Sequence, residues 1–295
     1  MHKNNRHSKK YDFKSLIDSY PQLESFVFTN KYGGETLDFA DPKAVKALNT
    51  ALLKQYHNVE YWEFPDQNLC PPIPGRLEYI LLLNDLLKSS GLEKEIKVLD
   101  IGTGATCIYP LLGYSEFGWT FLASEVDKKA LANANQIIQK NGLEAYIELR
   151  LQSKNDAILE GVLLPNERLT ATMCNPPFFK NEKEAIESNQ QKLKGLGKEA
   201  KTIQRNFSGT SSELWYPGGE KAFLHNYLFQ SSKLKEHFFW YTSLVSKKEH
   251  IKSMKISLEK LNATEFKVIE FSLGHKKSRV VAWSFLSKEE QKQWQ

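Results

Sequence analysis

The chain has 295 residues, of which 41% are hydrophobic, 25% charged and 12% aromatic, with a formal net charge of +5. A chain of this length can bury a full core, and its composition excludes disordered, collagen-like and disulfide-stabilised proteins. No stretch approaches the ~18 consecutive apolar residues of a membrane span, and no apolar segment typical of a secretory signal follows the first basic residues. The three cysteines lack CxxC spacing, and the seven histidines lack HxH or HxxxH spacing. We therefore expect a soluble cytoplasmic protein with reduced thiols and no metal site.

The positive charge is unevenly distributed along the chain. Residues 1–14 carry five cations against one acidic residue, and residues 180–205 carry seven cations against four. Basic segments of this kind are typical of proteins that contact a phosphate backbone. A solvated tail and a solvated loop have the same composition. Charge alone therefore leaves both interpretations open.

Residues 1–75 show helical tendency without the alternation that is typical of strands. Asp41 and the proline after it predict a helix start, because apolar residues follow at helical spacing. The proline-rich segment at residues 70–75 predicts a rigid extended turn. Apolar residues between 79 and 87 then predict a second long helix. We expect a helical N-terminal extension over residues 1–75.

From residue 96 onward, short apolar strands alternate with helical segments. Strands are predicted at residues 96–101, 119–124, 146–151, 168–174, 238–245, 264–272 and 279–286. This alternation predicts an α/β Rossmann-like domain over residues 76–295, with a mostly parallel seven-stranded sheet and helices on both faces. Ligands of such sheets bind at the carboxyl ends of the strands. The long polar segment at residues 179–219 predicts a functional loop on the substrate side.

A glycine-containing loop follows the first strand of this series. In Asp100-Ile101-Gly102-Thr103-Gly104 the glycines allow the backbone to approach a ligand closely. The loop lacks the third glycine of a dinucleotide motif and the lysine of a P-loop, so neither NAD nor ATP is favoured. Glu125 ends the next strand, where a carboxylate can accept both hydroxyl groups of a ribose. The loop and the acid together favour adenosine binding over a plain strand-to-helix turn.

The tetrapeptide Asn175-Pro176-Pro177-Phe178 directly follows the fourth strand. Its two prolines remove backbone donors and stiffen the chain. The Asn175 side-chain oxygen and the Pro176 carbonyl can then accept both hydrogens of an exocyclic amine or an amide, which frees the delocalised lone pair of its nitrogen. The Phe178 ring can stack on the flat substrate group. With the loop and Glu125 upstream, these residues favour methyl transfer to nitrogen over a simple strand-ending turn.

Longer segments narrow this interpretation. They are residues 72–76, residues 98–112, residues 213–215, residues 218–220 and Asn4 with Arg6 and His7. With the NPPF motif they resemble the 23S rRNA adenine(1618)-N6-methyltransferase family, a branch of the class I S-adenosylmethionine-dependent amino-methyltransferases whose eukaryotic relatives methylate small nuclear RNA. The resemblance covers nearly the whole chain. The segment Cys-Ile-Tyr-Pro-Leu-Leu at residues 107–112 is more specific than NPPF, which DNA and glutamine methylases share.

The resemblance implies transfer of a methyl group from S-adenosylmethionine to N6 of adenine 1618 in 23S rRNA. The residues that it implies for cofactor binding are Arg76, Asp100, Gly102, Gly104, Thr106, Glu125 and Asn155, the last as the polar residue after the third strand. The implied catalytic residues are Asn175, Pro176, Pro177 and Phe178. The basic residues expected to contact RNA are Lys3, Arg6, Lys9 and Lys10 in the N-terminal extension.

The expected partner is 23S rRNA or an assembly intermediate of the large ribosomal subunit, and the expected oligomeric state is a monomer. One alternative is an NPPF methyltransferase for a DNA adenine, a small-RNA adenine or a protein glutamine. Another is an RNA-binding module without chemistry, against which the intact Asn175, Gly102 and Glu125 argue. Phe207, Trp215 and Tyr216 in the long loop can either stack on RNA bases or hold the loop to its own core.

Overall fold

The computed structural model describes residues 1–154, 157–185, 187, 214–274 and 276–294. Its helices are α1 (Phe13–Ser19), α2 (Pro42–His57), α3 (Ile73–Ser89), α4 (Ile108–Phe117), α5 (Lys128–Lys140), α6 (Gly219–Ser231), α7 (Lys248–Lys260) and α8 (Lys288–Lys292). Its strands are β1 (Val27–Thr29), β2 (Glu35–Leu37), β3 (Lys97–Ile101), β4 (Thr120–Glu125), β5 (Ile147–Leu151), β6 (Leu169–Cys174), β7 (Phe238–Val245), β8 (Glu265–Leu273) and β9 (Lys276–Ser284). Within these ranges no helix is long and apolar enough to cross a membrane.

Seven strands form the main sheet in the order β5-β4-β3-β6-β7-β9-β8. The pairs from β5 to β7 are parallel, whereas β9 runs antiparallel to both β7 and β8. The predicted mostly parallel seven-stranded α/β fold is therefore confirmed. The strand order reverses between β3 and β6, so the loops that follow these two strands diverge and leave a crevice at their carboxyl ends.

The central strands are buried because helices cover both faces of a parallel sheet. Every residue of β6 is buried, and so are the last four residues of β3. Such strands are nearly continuous apolar runs, which is why the sequence located them within one or two residues. The last two strands lie at one end of the sheet, where β8 is the more exposed edge strand and β9 pairs with both β7 and β8. They form one hairpin, β8–β9, whose second strand begins at Lys276 rather than at the expected residue 279.

The N-terminal extension differs from its predicted all-helical form. Val27 pairs with Leu37 in the small antiparallel hairpin β1–β2, which the sequence did not predict because three-residue strands show no periodicity. The prediction of an extended turn over residues 70–75 is also wrong for its last three residues. Helix α3 already starts at Ile73, because Pro74 in the first turn loses only an N–H that has no partner within the helix.

The extension and the sheet share one hydrophobic core. Leu16 of α1, Leu52 of α2 and Leu83 of α3 are fully buried in the same cluster as Leu112 of α4 and Val98 of β3. The boundary expected between residues 75 and 76 falls inside the first turn of α3. The extension therefore packs as an integral layer of the molecule.

The first residues of the chain are attached to this layer. The His2 backbone N–H donates to Glu78 Oε1 at 2.6 Å, and the Asn5 side chain donates to Glu78 Oε2 at 2.8 Å. Glu78 is itself only 1% exposed on α3. Arg6 forms an ion pair with Glu116 of α4 at 2.7 Å. These contacts hold the N-terminal segment against α3 and α4.

Candidate active site

A cavity of about 530 Å³ opens at the carboxyl ends of β3, β4, β5 and β6. Seven of the residues predicted from sequence line it: Arg76, Gly102, Gly104, Thr106, Glu125, Asn175 and Pro177. The structure thus brings the glycine loop, the strand-end acid and the NPPF motif to one place. Asp100, Pro176 and Phe178 do not contribute to the lining, and Asn155 lies outside the described residues.

The glycine loop leaves β3 in a conformation that favours glycine. Gly102 has φ of +72° and Gly104 has φ of +65°. The backbone N–H groups of Gly102 and Thr103 both donate to the Ser124 carbonyl at 3.0 Å, which ties the loop to β4. A Cβ atom on Gly102 would meet no atom within 4 Å. The loop therefore presents bare backbone to open space in the cavity.

Glu125 at the end of β4 is held by main-chain donors. Its Oε2 accepts the Gly104 N–H at 2.9 Å, and its Oε1 accepts those of Val126 at 2.8 Å and Asp127 at 3.0 Å. The residue is 5% exposed. Burial raises the pKa of Glu125, and the three N–H groups offset part of that rise. The carboxylate is thus oriented before any ligand arrives.

Asp100 lies beneath the loop at 1% exposure. Neither of its carboxylate oxygens has a hydrogen bond of good geometry from a described residue. Burial raises the pKa of Asp100 to about 7, while the nearby Thr103 hydroxyl and Arg76 guanidinium lower it and Glu125 raises it further. A buried acid without a well-formed hydrogen bond is costly, and it favours a donor or a positive charge in its neighbourhood.

Arg76 reaches the cavity from the first turn of α3. Its Nη1 donates to the Tyr109 hydroxyl at 2.9 Å, and its guanidinium lies 5.4 Å from the centre of that ring. Burial raises the pKa of Tyr109 to about 12, so the phenol stays neutral. The Arg76 Nε is buried without an acceptor among the described residues. Arg76 therefore retains donor capacity for a carboxylate ligand.

Two further polar residues complete this side of the cavity. The Thr106 carbonyl accepts the Trp62 indole N–H at 3.0 Å, so the extension helps to place the loop. Gln152 follows β5 and donates its backbone N–H to the Glu125 carbonyl at 2.8 Å. Sequence reasoning placed the polar residue after the third strand at Asn155 and missed Gln152, which lines the cavity at the strand end itself.

Asn175 follows β6 and lines the cavity next to Pro177. It is half-buried, and no described residue forms a hydrogen bond with its carboxamide. Pro176 is buried. Phe178 is 38% exposed, and its backbone N–H donates to the Leu214 carbonyl at 3.1 Å. The Asn175 side chain is therefore free to accept a hydrogen bond from a substrate.

A buried hydroxyl network supports the end of β6. The Tyr79 hydroxyl of α3 accepts the Cys174 backbone N–H at 3.4 Å and bonds the Thr242 hydroxyl at 2.7 Å. Thr242 in turn donates to the Thr172 carbonyl at 2.6 Å. Burial raises the pKa of Tyr79 well above 10, so the network is uncharged. It fixes the backbone directly before the NPPF motif.

The four N-terminal cations lie elsewhere on the molecule. Lys3, Lys9 and Lys10 are exposed, whereas Arg6 is engaged by Glu116 and donates to the Tyr56 carbonyl at 3.1 Å. None of the four lines the cavity. Among the described residues no group of three or more His, Cys, Asp or Glu side chains is arranged to hold a metal ion.

The cavity fits a ligand with an adenosine, a positive charge and an amino-acid end. The open backbone at Gly102 leaves room for close approach, Arg76 lines the cavity with a buried Nε that has no acceptor among the described residues, and the Asp100 carboxylate is buried next to the loop. A sheet with a reversed final strand, this loop and acid, and the NPPF motif together define a class I S-adenosylmethionine-dependent methyltransferase.

Comparison with known proteins specifies the family. Residues 1–287 match the model of a family described as RNA methyltransferases, and the chain belongs to that family. The chain is similar to "Ribosomal RNA large subunit methyltransferase F" of Pectobacterium carotovorum, at 46% identity over 298 residues that cover 100% of this chain and 96% of the relative.

Solved structures give the same result. The catalytic domain of human METTL16 in complex with the MAT2A 3'UTR hairpin 1 matches at a TM-score of 0.82 and 32% identity, covering 98% of this chain and 96% of the other. The N-terminal domain of human METTL16 in complex with SAH matches at a TM-score of 0.77 and 30% identity, covering 97% and 99%. The protein is an RNA methyltransferase whose methyl donor is S-adenosylmethionine, as the sequence predicted.

Proposed function

We propose that this enzyme methylates N6 of one adenine in 23S rRNA of the large ribosomal subunit, at the position numbered 1618. The observation that carries the proposal is that NPPF and the glycine loop line the same cavity. A substrate nitrogen held at Asn175 therefore lies in the same enclosure as a ligand held at Gly102 and Glu125. The name of the Pectobacterium relative, a large-subunit ribosomal RNA methyltransferase, supports rRNA of the large subunit as the substrate.

On the donor side, we assign each residue a proposed role. Glu125 would accept hydrogen bonds from the two ribose hydroxyls, Arg76 would bind the carboxylate of the amino-acid end, and the Asp100 carboxylate would favour the positive charge. Gly102 and Gly104 allow the backbone to approach. When bound, S-adenosylmethionine supplies an electrophilic methyl group on a sulfonium. Thr106 and Asn155 complete the proposed cofactor set.

On the acceptor side, Asn175 Oδ1 and the Pro176 carbonyl accept the two hydrogens of the adenine amino group. Both bonds strengthen as the nitrogen becomes tetrahedral, so they stabilise the transition state more than the ground state. The lone pair is then no longer delocalised into the ring. The cationic product amine loses its proton readily to water, so no strong base is required. Pro177 stiffens the turn, and Phe178 stacks on the unpaired base.

The N-terminal extension at residues 1–75 is proposed to hold the RNA around the target. Lys3, Lys9 and Lys10 are exposed cations on a segment that is fixed to α3, so they can contact phosphates without a large ordering cost. Arg6 belongs to the same proposed set, although its guanidinium is paired with Glu116. The substrate is 23S rRNA, free or in an assembling particle, and the enzyme acts as a monomer.

The proposal is tested by methyl transfer to a 23S rRNA fragment that contains the target adenine. An identical fragment with guanine at that position, a small nuclear RNA, double-stranded DNA and a release factor are the alternative substrates. We expect N6-methyladenine in the first fragment alone. Equal methylation of both rRNA fragments, or faster methylation of DNA or protein, would overturn the proposal.

A further inference from the structure

Residues 214–216 lie alongside the NPPF motif. The Phe178 and Phe179 backbone N–H groups both donate to the Leu214 carbonyl at 3.1 Å, and the Tyr216 N–H donates to the Phe179 carbonyl at 3.0 Å. Trp215 itself forms a parallel bridge with Phe179. These bonds place Trp215 alongside the motif, and it lines the same cavity as Asn175 and Pro177.

Tyr216 fixes this segment from its other side. Its hydroxyl accepts a hydrogen bond from Asn226 of α6 at 2.9 Å, and its ring packs edge-on against Phe223 at 5.3 Å. The Gly219 N–H, at the start of α6, donates to the Tyr216 carbonyl at 2.7 Å. The Trp215 side chain is therefore carried on backbone that is attached both to NPPF and to α6.

The indole N–H of Trp215 is buried and has no acceptor among the described residues. Three other indoles in the described ranges do have one: Trp62 donates to the Thr106 carbonyl, Trp240 to Ser90 Oγ and Trp283 to Ser231 Oγ. Buried donors are nearly always paired, so an unpaired one on a side chain that lines a ligand cavity points to an acceptor that the ligand brings.

We propose that the Trp215 N–H donates to a ring nitrogen on the amino edge of the target adenine, N1 or N7, and so makes Trp215 a specificity-determining residue. This inference rests on the proposed function. Asn175 Oδ1 and the Pro176 carbonyl are both acceptors for the amino group, so neither of these atoms can pair with the ring nitrogens that flank it. Trp215 supplies the missing donor, and the site then matches both kinds of group on that edge.

The site discriminates against guanine because guanine would leave polar groups of the site unpaired. Guanine has a carbonyl at position 6, so it would face the two acceptors with an oxygen. Guanine N1 also carries a proton, so a Trp215 N–H that reads N1 would face another donor. A site built to hydrogen-bond rejects a substrate that leaves its buried polar groups unpaired, by larger factors than shape alone achieves.

The experiment compares wild type and Trp215→Phe on rRNA fragments that carry adenine, 1-deazaadenine or 7-deazaadenine at the target. We expect one deaza analogue to lower kcat/KM of the wild type by about tenfold or more. Trp215→Phe should lose a similar factor on adenine but show no further loss on that analogue. Trp240→Phe, whose indole is paired at the far end of β7, is the matched control and should respond to the analogues as wild type does.

Affinity for S-adenosylhomocysteine is measured for all three proteins and should stay within about twofold, since Trp215 acts on the acceptor side. If Trp215→Phe does not fold, Trp215→His, which keeps a ring N–H, is compared with Trp215→Leu, and only the former should remain sensitive to the analogue. Equal sensitivity of wild type and Trp215→Phe to both analogues, or a loss of S-adenosylhomocysteine affinity, would overturn the role of Trp215. Failure of wild type to methylate the adenine fragment would instead overturn the proposed function.

Discussion

The two sides of the cavity are built differently. The donor side centres on the ends of the adjacent parallel strands β3 and β4, and three main-chain N–H groups hold its Glu125 carboxylate. On the acceptor side, backbone bonds join the end of the NPPF motif to Leu214 and Trp215, which are distant in sequence. The ends of neighbouring strands therefore form most of the cofactor half, whereas pairing between distant segments forms the substrate half.

The two sides also differ in charge. The donor side holds the buried acids Asp100 and Glu125, both with a raised pKa, together with the Arg76 guanidinium. The described lining of the acceptor side, with Asn175, Pro177 and Trp215, is uncharged. This difference matches the two ligands, because the methyl donor is charged whereas the adenine amino group is neutral. Substitutions should therefore separate donor affinity from turnover.

The largest separation is expected for Asn175→Ala. The variant should show turnover reduced by about a thousandfold, because the hydrogen bond that it removes strengthens in the transition state. Its affinity for S-adenosylmethionine should match that of wild type. Methylation of the rRNA fragment and calorimetry with the cofactor measure the two quantities. Asn84→Ala, on half-buried α3, is the control, and turnover by Asn175→Ala within tenfold of that control would remove Asn175 from the chemistry.

The donor side was the more predictable half because its signals are short-range. An apolar run, two glycines and a strand-end acid predicted the loop and Glu125, and the structure places all of them on the cavity. Gln152 was missed because an amide at a strand end has no distinctive neighbours. On the acceptor side the NPPF motif was recognisable, but the position of Trp215 depends on pairing with Phe179, which no local pattern encodes.

A second test concerns the stability cost of Asp100. Its pKa in the folded protein is about 7 against 3.8 for the free side chain, so the folded state binds more protons between these values. The free energy of unfolding should therefore fall as pH rises from about 4 to about 7 and stay low above that. Asp100→Asn should remove this loss and be more stable than wild type at pH 8 by roughly 2–4 kcal/mol.

Urea unfolding at pH 4, 6 and 8 measures this difference. The control is Asp18→Asn, which changes an exposed residue of α1. The same variant should bind S-adenosylmethionine more weakly, because the acceptor near the positive charge is neutral. A stability gain that is equal at all three pH values would show that Asp100 is not strained by burial.

Glu125→Ala should act on the donor side alone. Charge-assisted hydrogen bonds contribute ~1.5–3 kcal/mol each, so S-adenosylmethionine affinity should fall by about ten- to a hundredfold. Three backbone N–H groups also lose their acceptor, which loosens the loop at Gly104. Calorimetry measures the affinity, and the control is Glu148→Ala, which changes an exposed residue of β5. Unchanged affinity in a folded variant would exclude Glu125 from the cofactor site.

The smallest effect on the enzyme is expected when charge is removed from the N-terminal segment, which lines neither side of the cavity. Lys3, Lys9 and Lys10 are exposed, whereas His2 and Asn5 attach the segment to Glu78. Deleting the segment would therefore remove its attachment to α3 together with its charge. The triple change of the lysines to glutamine keeps that attachment and removes three positive charges.

If these lysines bind phosphates, the slope of log affinity for RNA against log salt should flatten by about 0.7–0.9 for each phosphate that is no longer neutralised. Affinity for S-adenosylmethionine should not change, since none of the three lines the cavity. The control removes the same charge from α7 by changing its exposed residues Lys252, Lys255 and Lys260 to glutamine. Because both variants have the same net charge, a flatter slope in the first alone assigns the effect to phosphate binding at the N-terminal segment. Equal slopes would mean that this segment contributes only long-range attraction, and that RNA is held by other parts of the protein.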